Sequence, residues 1–551
     1  MNRILQKIAG TAQRQSGIHP RFILPVLVAS ISLTTAVLGM YWDIAYHVDH
    51  GRDQAIFTIP HLLIVAGLNG IVAAAVLHGF MPGPSARGER RILGGRLSLA
   101  PGGLVMLACG AIALTGFPLD AAWHAMFGED VTLWGPTHLF MIGGAGFSTL
   151  GLWMLLRAGS ELGEPTKRVQ ISGPRNAGGL LIGLSTFQAE FDFGVPQFQL
   201  LYQPVLIAFA AGVALVCARR LLGRYGALKA LGIFFVIRGL LSLLVGPVLG
   251  FTTPHFPLYV AEALVVEGAA LVAVRSPVRF ALLSGVGIGT IGLATEWAWS
   301  HVWMTHPWTA SLLPEALILT LLAATGGALL GARIAQALAA PDSRPALLPP
   351  LPRFAAIAAG AAVLVALAVP LPRSGGDGTQ MAIAPTPAGN GMVHLSATVD
   401  PPSRARGAEW FEVLSWQGRS EPRRITHFHE VAPGRFESNR TVPVGGHWKS
   451  MIRLARGSHL MAMPVFLPAE PLSHRAAVPA TARSGPLTSD TYQLQREARG
   501  GPSWMTTAAY SVLAGIAALW LGITCWSLSQ LEGRRPRRRG GTTRPRAVAA
   551  A

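Results

Sequence analysis

Six residues in this sequence have the types and spacing for metal chemistry, and they come as two sets of three. Asp43, His47 and His61 recur as Asp120, His124 and His138, every pair offset by 77 positions. In each set the aspartate and the first histidine are four apart, which puts both side chains on one face of a helix end. The second histidine follows fourteen residues later, across a turn containing Gly51 and Asp53 in one copy and Gly128 and Asp130 in the other. Just before it stands a proline, Pro60 or Pro136, of the kind that opens a helix. A helical hairpin built this way gathers one carboxylate and two imidazoles. That is the ligand set of a two-histidine, one-carboxylate centre, suited to copper, with iron or zinc as alternatives. A lone Asp-x-x-x-His also reads as a clamp that closes a helix end. Two copies in register, among residues that otherwise differ, favour ligands.

His50 adds a candidate ligand to the first set, where the second has Phe127. The first set is therefore expected to be the more saturated metal site. The second, walled by Phe127, Trp123 and Trp134, is expected to be the drier place for substrate, with Asp120, His124 and His138 as catalytic residues. Further candidate ligands, Glu296, His301, His306 and Glu315, lie in a related stretch, and polar residues also mark two intervening turns: Glu190, Asp192, Gln197 and Gln203, then His255 and Glu262. Ionisable groups at membrane depth are costly to place and so point to function. Arg238 is expected to find its counter-ion in Glu267.

The elements that must position these residues are membrane helices. Of 551 residues, 51% are hydrophobic and 13% charged, with a mean hydropathy of +0.42. This composition predicts an all-α polytopic membrane protein of repeated helical hairpins. About twelve spans are expected, near 22–42, 57–80, 98–119, 134–156, 177–195, 201–219, 229–250, 257–274, 279–300, 311–335, 353–372 and 503–529. The first follows a polar segment without a small-residue cleavage pattern, so it reads as a retained helix. Residues 1–21 form a short N-terminal segment, 22–336 a ten-helix domain, and 337–372 a linker with span eleven. Residues 373–500 form a soluble domain, 501–529 span twelve, and 530–551 a basic tail.

Arginine and lysine set the orientation. Arg87, Arg90, Arg91 and Arg96, then Arg157, Lys167, Arg168 and Arg175, then Arg219, Arg220, Arg224 and Lys229 fall in alternate connections. That side, with both termini, is expected to be cytoplasmic, in a bacterial-type inner membrane, and the motif turns face outward. The formal charge of +18 reflects this bias together with the arginines at 534–539. Such a tail beside the last span reads as an anchor on anionic lipid, not as a nucleic-acid site. Cys109, Cys217 and Cys525 stand apart and support neither a disulfide framework nor a thiolate metal site.

Residues 373–500 change to short alternating segments such as MVHLSATV and WFEVLSW, broken by glycine and proline. Period-two alternation predicts an antiparallel β-sandwich between the last two spans, outside the cytoplasmic membrane. The segment APGRFESNRTVPVGGHWKSMIRLARG resembles the YtkA/FixH-like family of small extracytoplasmic β-sandwich domains over about 100 residues. That likeness implies copper handling or oxidase assembly. His427, His429, His447, His459, Met461 and Met463 would then be available as ligands, against the alternative that they are ordinary strand residues.

The order Asp, His four later and His about thirteen later, at the outer end of a hairpin, resembles the copper site in the third subunit of the particulate methane and ammonia monooxygenases. The likeness covers about twenty residues per copy, and the gap before the last histidine is one residue longer here. It implies that Asp43, His47 and His61, and by duplication Asp120, His124 and His138, are copper ligands. Three readings stand. The first is a copper or iron oxidoreductase acting on a small hydrophobic substrate, with other membrane subunits or an electron donor as partners. The second is a metal transport, delivery or assembly factor. The third is a scaffold whose polar groups only hold the hairpins together. Nucleotide-driven transport is disfavoured because the sequence has no glycine-rich phosphate loop with its lysine.

Overall fold

The structure is a computed structural model. It describes residues 3–50, 57–127, 133–166, 173–194, 200–339, 377–417, 423–456, 459–469, 475–490, 493 and 502–532. Span eleven, the basic tail, Gln197 and the two glycine–aspartate turns lie outside the described residues.

An apolar run in a bilayer must satisfy its own backbone, so it closes as a helix. After an amphipathic helix α1 (Arg3–Ser16) come α2 (Pro20–His50), α3 (Ile59–Phe80), α4 (Pro101–Phe127) and α5 (Pro136–Glu161). There follow α6 (Gly173–Ser185), α7 (Tyr202–Leu222), α8 (Gly226–Leu243), α9 (Val260–Ala273), α10 (Pro277–Gly287), α11 (Leu293–Trp303), α12 (Leu313–Leu338) and α13 (Ser503–Glu532). A π-helical turn extends α8 over Leu244–Val248, and another joins α10 to α11 over Ile288–Gly292. Among the described residues nine helices are long and apolar enough to cross a membrane. Two expected spans fall short. The span near 177–195 is α6, 13 residues long, continued by a 3₁₀ helix over Thr186–Phe193. The span near 257–274 is α9, 14 residues long, which follows non-helical chain at 250–258. A helix of 13 residues reaches only about 20 Å, whereas the hydrocarbon core is ~30 Å thick. Irregular backbone at that depth is tolerated where protein covers it, and Gln188, Glu190 and Asp192 of the 3₁₀ segment are all buried.

The two motif hairpins are packed by the same small residues. A Cβ on Gly39 would lie 2.7 Å from the Pro60 carbonyl oxygen, and one on Gly116 would lie 2.8 Å from Met141 Cγ and 3.2 Å from the Thr137 carbonyl oxygen. Deeper in the first hairpin, Gly67 meets Ser32 and Ala36; in the second, Gly144 meets Cys109 and Ala113. Every one of these partners is again offset by 77, so the duplication extends from the ligands to the helix crossing. Small residues let the backbones approach, and that approach brings the start of α3 or α5 against the end of α2 or α4.

Residues 380–489 form one antiparallel sheet of ten strands. With β1 (Arg90–Ile92) and β2 (Leu97–Leu99) forming a short hairpin between α3 and α4, the strand order of this sheet is β11 (Arg483–Pro486), β3 (Gln380–Gly389), β4 (Met392–Asp400), β7 (Arg435–Ser438), β6 (Arg424–Ala432), β5 (Trp410–Trp416), β9 (Lys449–Arg456), β10 (His459–Phe466) and β12 (Thr488–Ser489), with β8 (Val442–Pro443) beside β4. The sheet curls over Ile383, Leu395, Val413, Ile452, Leu454, Met461 and Met463. It is one continuous barrel-like antiparallel sheet. The sheet meets the helical part at the loop between α11 and α12. There His306 Nε2 lies 3.0 Å from Glu412 Oε2 of β5, and the His306 ring packs 4.6 Å from that of Trp410. Arg423, just before β6, is in the field of Asp49 on α2. The β-domain thus covers the same end of the bundle as the motif hairpins.

Candidate metal centre

Asp43 and His47 stand one turn apart near the end of α2, and His61 stands in the first turn of α3, where the extended Thr58 and the helix-opening Pro60 set the direction of the chain. His47 Nε2 lies 3.5 Å from Asp43 Oδ1, and His61 Nε2 lies 3.1 Å from the same oxygen. In the second copy His124 Nε2 and His138 Nε2 lie 3.6 and 3.4 Å from Asp120 Oδ1. In both groups all three donor atoms fall within 4.8 Å of one another.

These separations can be tested against a metal. An ion held at about 2.1 Å gives donor-to-donor edges of roughly 3.4 Å for tetrahedral ligands and roughly 3.0 Å for ligands at right angles. The four oxygen–nitrogen edges fall in that interval or within 0.2 Å above it. The distances alone would also pass for hydrogen bonds. Asp43 Oδ1 is buried and receives no aligned hydrogen bond, although an imidazole nitrogen is 3.1 Å away. The side chains are only 15–30% exposed, so each carboxylate here needs its two imidazoles as partners or a cation held among the three donors.

The two groups differ in their surroundings. The Thr137 hydroxyl donates to Asp120 Oδ1, whereas the equivalent position in the first copy is Pro60, which has no side-chain donor. The His61 ring meets Phe117 of α4 edge-on at 5.8 Å, so the second hairpin helps to wall the first group. Trp123 and Phe127 pack at 4.2 Å beside the second group, and Trp134 is almost fully buried. The side chains of that group are slightly the less exposed of the two.

Several expected ligands are elsewhere. His50 belongs to neither group; seven residues beyond Asp43 it is about 10 Å further along the helix axis. Its ring packs against Tyr46 at 5.0 Å and Phe251 at 5.7 Å. The residues of the fifth hairpin do not converge. Glu296 accepts from the Tyr259 backbone N–H, His301 is exposed with its ring against Trp297, His306 pairs with Glu412, and Glu315 is exposed. The reason is the spacing: five residues between Glu296 and His301 turn the helix by about 140°, not by the 40° that four residues give. Arg238 pairs with Asp192 at 2.6 Å, and Glu267 pairs with Arg219 at 2.7 Å. In the β-domain Met461 and Met463 are core residues, His429 and His447 are exposed, and His427 is 57% exposed. Among the described residues only the two Asp/His/His groups bring three such donors together.

Thr137, Phe117 and the glycines of the helix crossing shape the two groups although none of them has a metal-ligating side chain of the kind that marks the histidines and aspartates. Each was visible as an identity or a difference at the 77-residue offset. No protein-family model, curated protein or solved structure matches this chain.

Proposed function

We propose that this chain is an integral-membrane metalloprotein that holds one metal ion in each Asp/His/His group at the outer face. Copper is the expected ion, and oxidation or reduction of a small membrane-soluble substrate the expected use. The observation that carries the reading is the repetition of one donor geometry, 3.1–3.6 Å around a single carboxylate oxygen, in two hairpins that share the small residues of the helix crossing and differ at most other positions. Two imidazoles and one carboxylate form a borderline donor set, matched to Cu(II), Fe(II) or Zn(II) and a poor match for calcium or magnesium. Three protein ligands leave coordination positions open, the arrangement of a reactive site as opposed to a closed structural one. The local likeness to the monooxygenase copper site points the same way. A metal bound here would supply electron transfer; the chain's part is to fix the ligands and to exclude water with Phe117, Trp123 and Phe127. Electrons would come from a partner protein or another membrane subunit.

The delivery reading is weaker because its expected capture ligands, the histidines and methionines of the β-domain, are dispersed or lie in the core. Electron paramagnetic resonance of chain purified without chelators tests the redox reading. A Cu(II) signal with nitrogen hyperfine structure should vanish on reduction and return in air. A metal content consisting only of redox-silent zinc would overturn it.

A further inference from the structure

The charges that the metal groups leave unused collect at one place in the helical domain. Asp192, at the end of the 3₁₀ segment, accepts from Arg238 Nη2 at 2.6 Å, from the Tyr41 hydroxyl at 2.9 Å and from Gln188 Nε2 at 3.3 Å. Next to this ion pair Tyr259 carries its hydroxyl in the joint field of Asp192, Arg238, Glu262 and Glu296. Glu296 accepts from the Tyr259 backbone N–H at 2.9 Å, and Glu262 reaches the same place from α9: its Oε1 would lie 2.9 Å from a Cβ on Gly292, one helical turn before Glu296. All of Tyr41, Asp192, Arg238, Tyr259, Glu262 and Glu296 are at least 95% buried.

Counting charge gives three carboxyl groups against one guanidinium. Asp192 and Arg238 neutralise each other, so the glutamates remain. Two carboxylates cannot stand so close away from water unless a proton is shared between them, because like charges in a low dielectric repel far more strongly than solvation can offset. The backbone is shaped for this approach. Gly292 closes the π-helical turn that precedes Glu296. A side chain there would push the two acids apart. The second π-helical turn follows the helix that carries Arg238, and such turns recur at functional positions. Polar atoms are also left over: the Tyr259 hydroxyl, Arg238 Nε and Nη1, Gln188 Oε1 and Glu262 Oε2 are buried without a hydrogen-bond partner. Groups of this kind in a closed apolar interior indicate ordered water or a bound species.

We propose that Glu262 and Glu296 form a buried proton-binding site that holds one exchangeable proton between two carboxyl groups, with the Tyr259 hydroxyl and the Asp192–Arg238 pair as its polar surroundings. The proton comes from water, converts one carboxylate to a carboxylic acid on binding, and returns to water on release. The groups facing the pair from the packed elements are Asp192, Arg238, Tyr259 and, further out, His255, whose backbone N–H donates to the Asp192 carbonyl. None of them belongs to the Asp/His/His groups, so the site stands whether or not those groups bind metal. A buried proton store in the same helical domain as the metal groups would balance charge when such a centre is oxidised or reduced.

Infrared spectroscopy of the full chain in detergent tests the proposal. The wild type should show the carbonyl stretch of a protonated carboxylic acid at neutral pH, shifted on exchange into D2O. Glu262→Gln and Glu296→Gln should each lose it, since the amide donates to the remaining carboxylate in place of the shared proton. Absence of the band in the wild type would overturn the proposal, a reading that needs no variant to fold. So would its persistence in both variants, or its replacement by stabilisation with Na⁺ that either variant abolishes, which would make the occupant a metal cation.

Discussion

Replacing Thr137 with valine should weaken one metal site and leave its twin untouched. Valine keeps the shape of threonine and removes only the hydroxyl that donates to Asp120 Oδ1. That hydrogen bond orients the carboxylate and withdraws none of the ring nitrogens, so its loss acts on ligand alignment. Outer partners of this kind are worth about 10–100-fold in metal affinity, or about 1.4–2.7 kcal/mol at 1.36 kcal/mol per tenfold. The first site has Pro60 at the equivalent position and already lacks the donor. Competitive titration with a chromophoric chelator should therefore resolve two classes in the wild type, the tighter belonging to the second site. In Thr137→Val the tighter class should move toward the weaker one. Equal weakening of both classes, or no change in either, would refute the claim that this hydroxyl distinguishes the two groups.

Four further outcomes follow from the packing and the charges. Gly39→Val and Gly116→Val each place a side chain where a Cβ already comes within 2.7 or 2.8 Å of the facing helix; each should release metal from its own hairpin, seen in elemental content, with a lower melting temperature. Asp192→Asn leaves the buried Arg238 without its counter-charge and should destabilise the helical domain by roughly 3–5 kcal/mol, measured as earlier thermal unfolding in detergent. Burial pushes the Glu412 carboxyl up, but the hydrogen bond from His306 and the charges of His306, Arg453 and His427 outweigh it and hold the group below the usual carboxylate range. A carboxylate depressed on folding contributes stability above its unfolded value of about 4.3 that is lost as pH falls through the folded one. Hydrogen exchange at 304–312 should accordingly rise below about pH 4 in the wild type, and Glu412→Gln should remove that dependence.

The candidate site was legible because its donors are chemically distinctive and repeat at a fixed offset. The crossing residues repeat just as faithfully, yet glycine and alanine are common in membrane helices, so Gly39 and Gly116 carried no signal until a contact was attached to them. The fifth hairpin misled for the opposite reason. Its residue types matched, but a helix sorts side chains by angle, and five residues are not four. Arg238 shows the same limit in depth. Counted from the basic end, it stands about 18 Å up α8, while Glu267 stands only about 9 Å up α9, so sequence proximity to an acid said nothing about which acid it meets. The helical hairpins and the β-rich region were readable from hydropathy and alternation. The shortening of two spans was not, because the apolar residues run on through the 3₁₀ segment over Thr186–Phe193 and the non-helical chain at 250–258.

Elemental analysis of protein purified without chelators decides whether the two hairpins hold metal. Two ions are expected per wild-type chain, one in His61→Ala, one in His138→Ala and none in the double variant. Wild-type protein that is folded and metal-free after growth and purification in the presence of copper, iron and zinc would contradict it, as would metal that remains in the double variant.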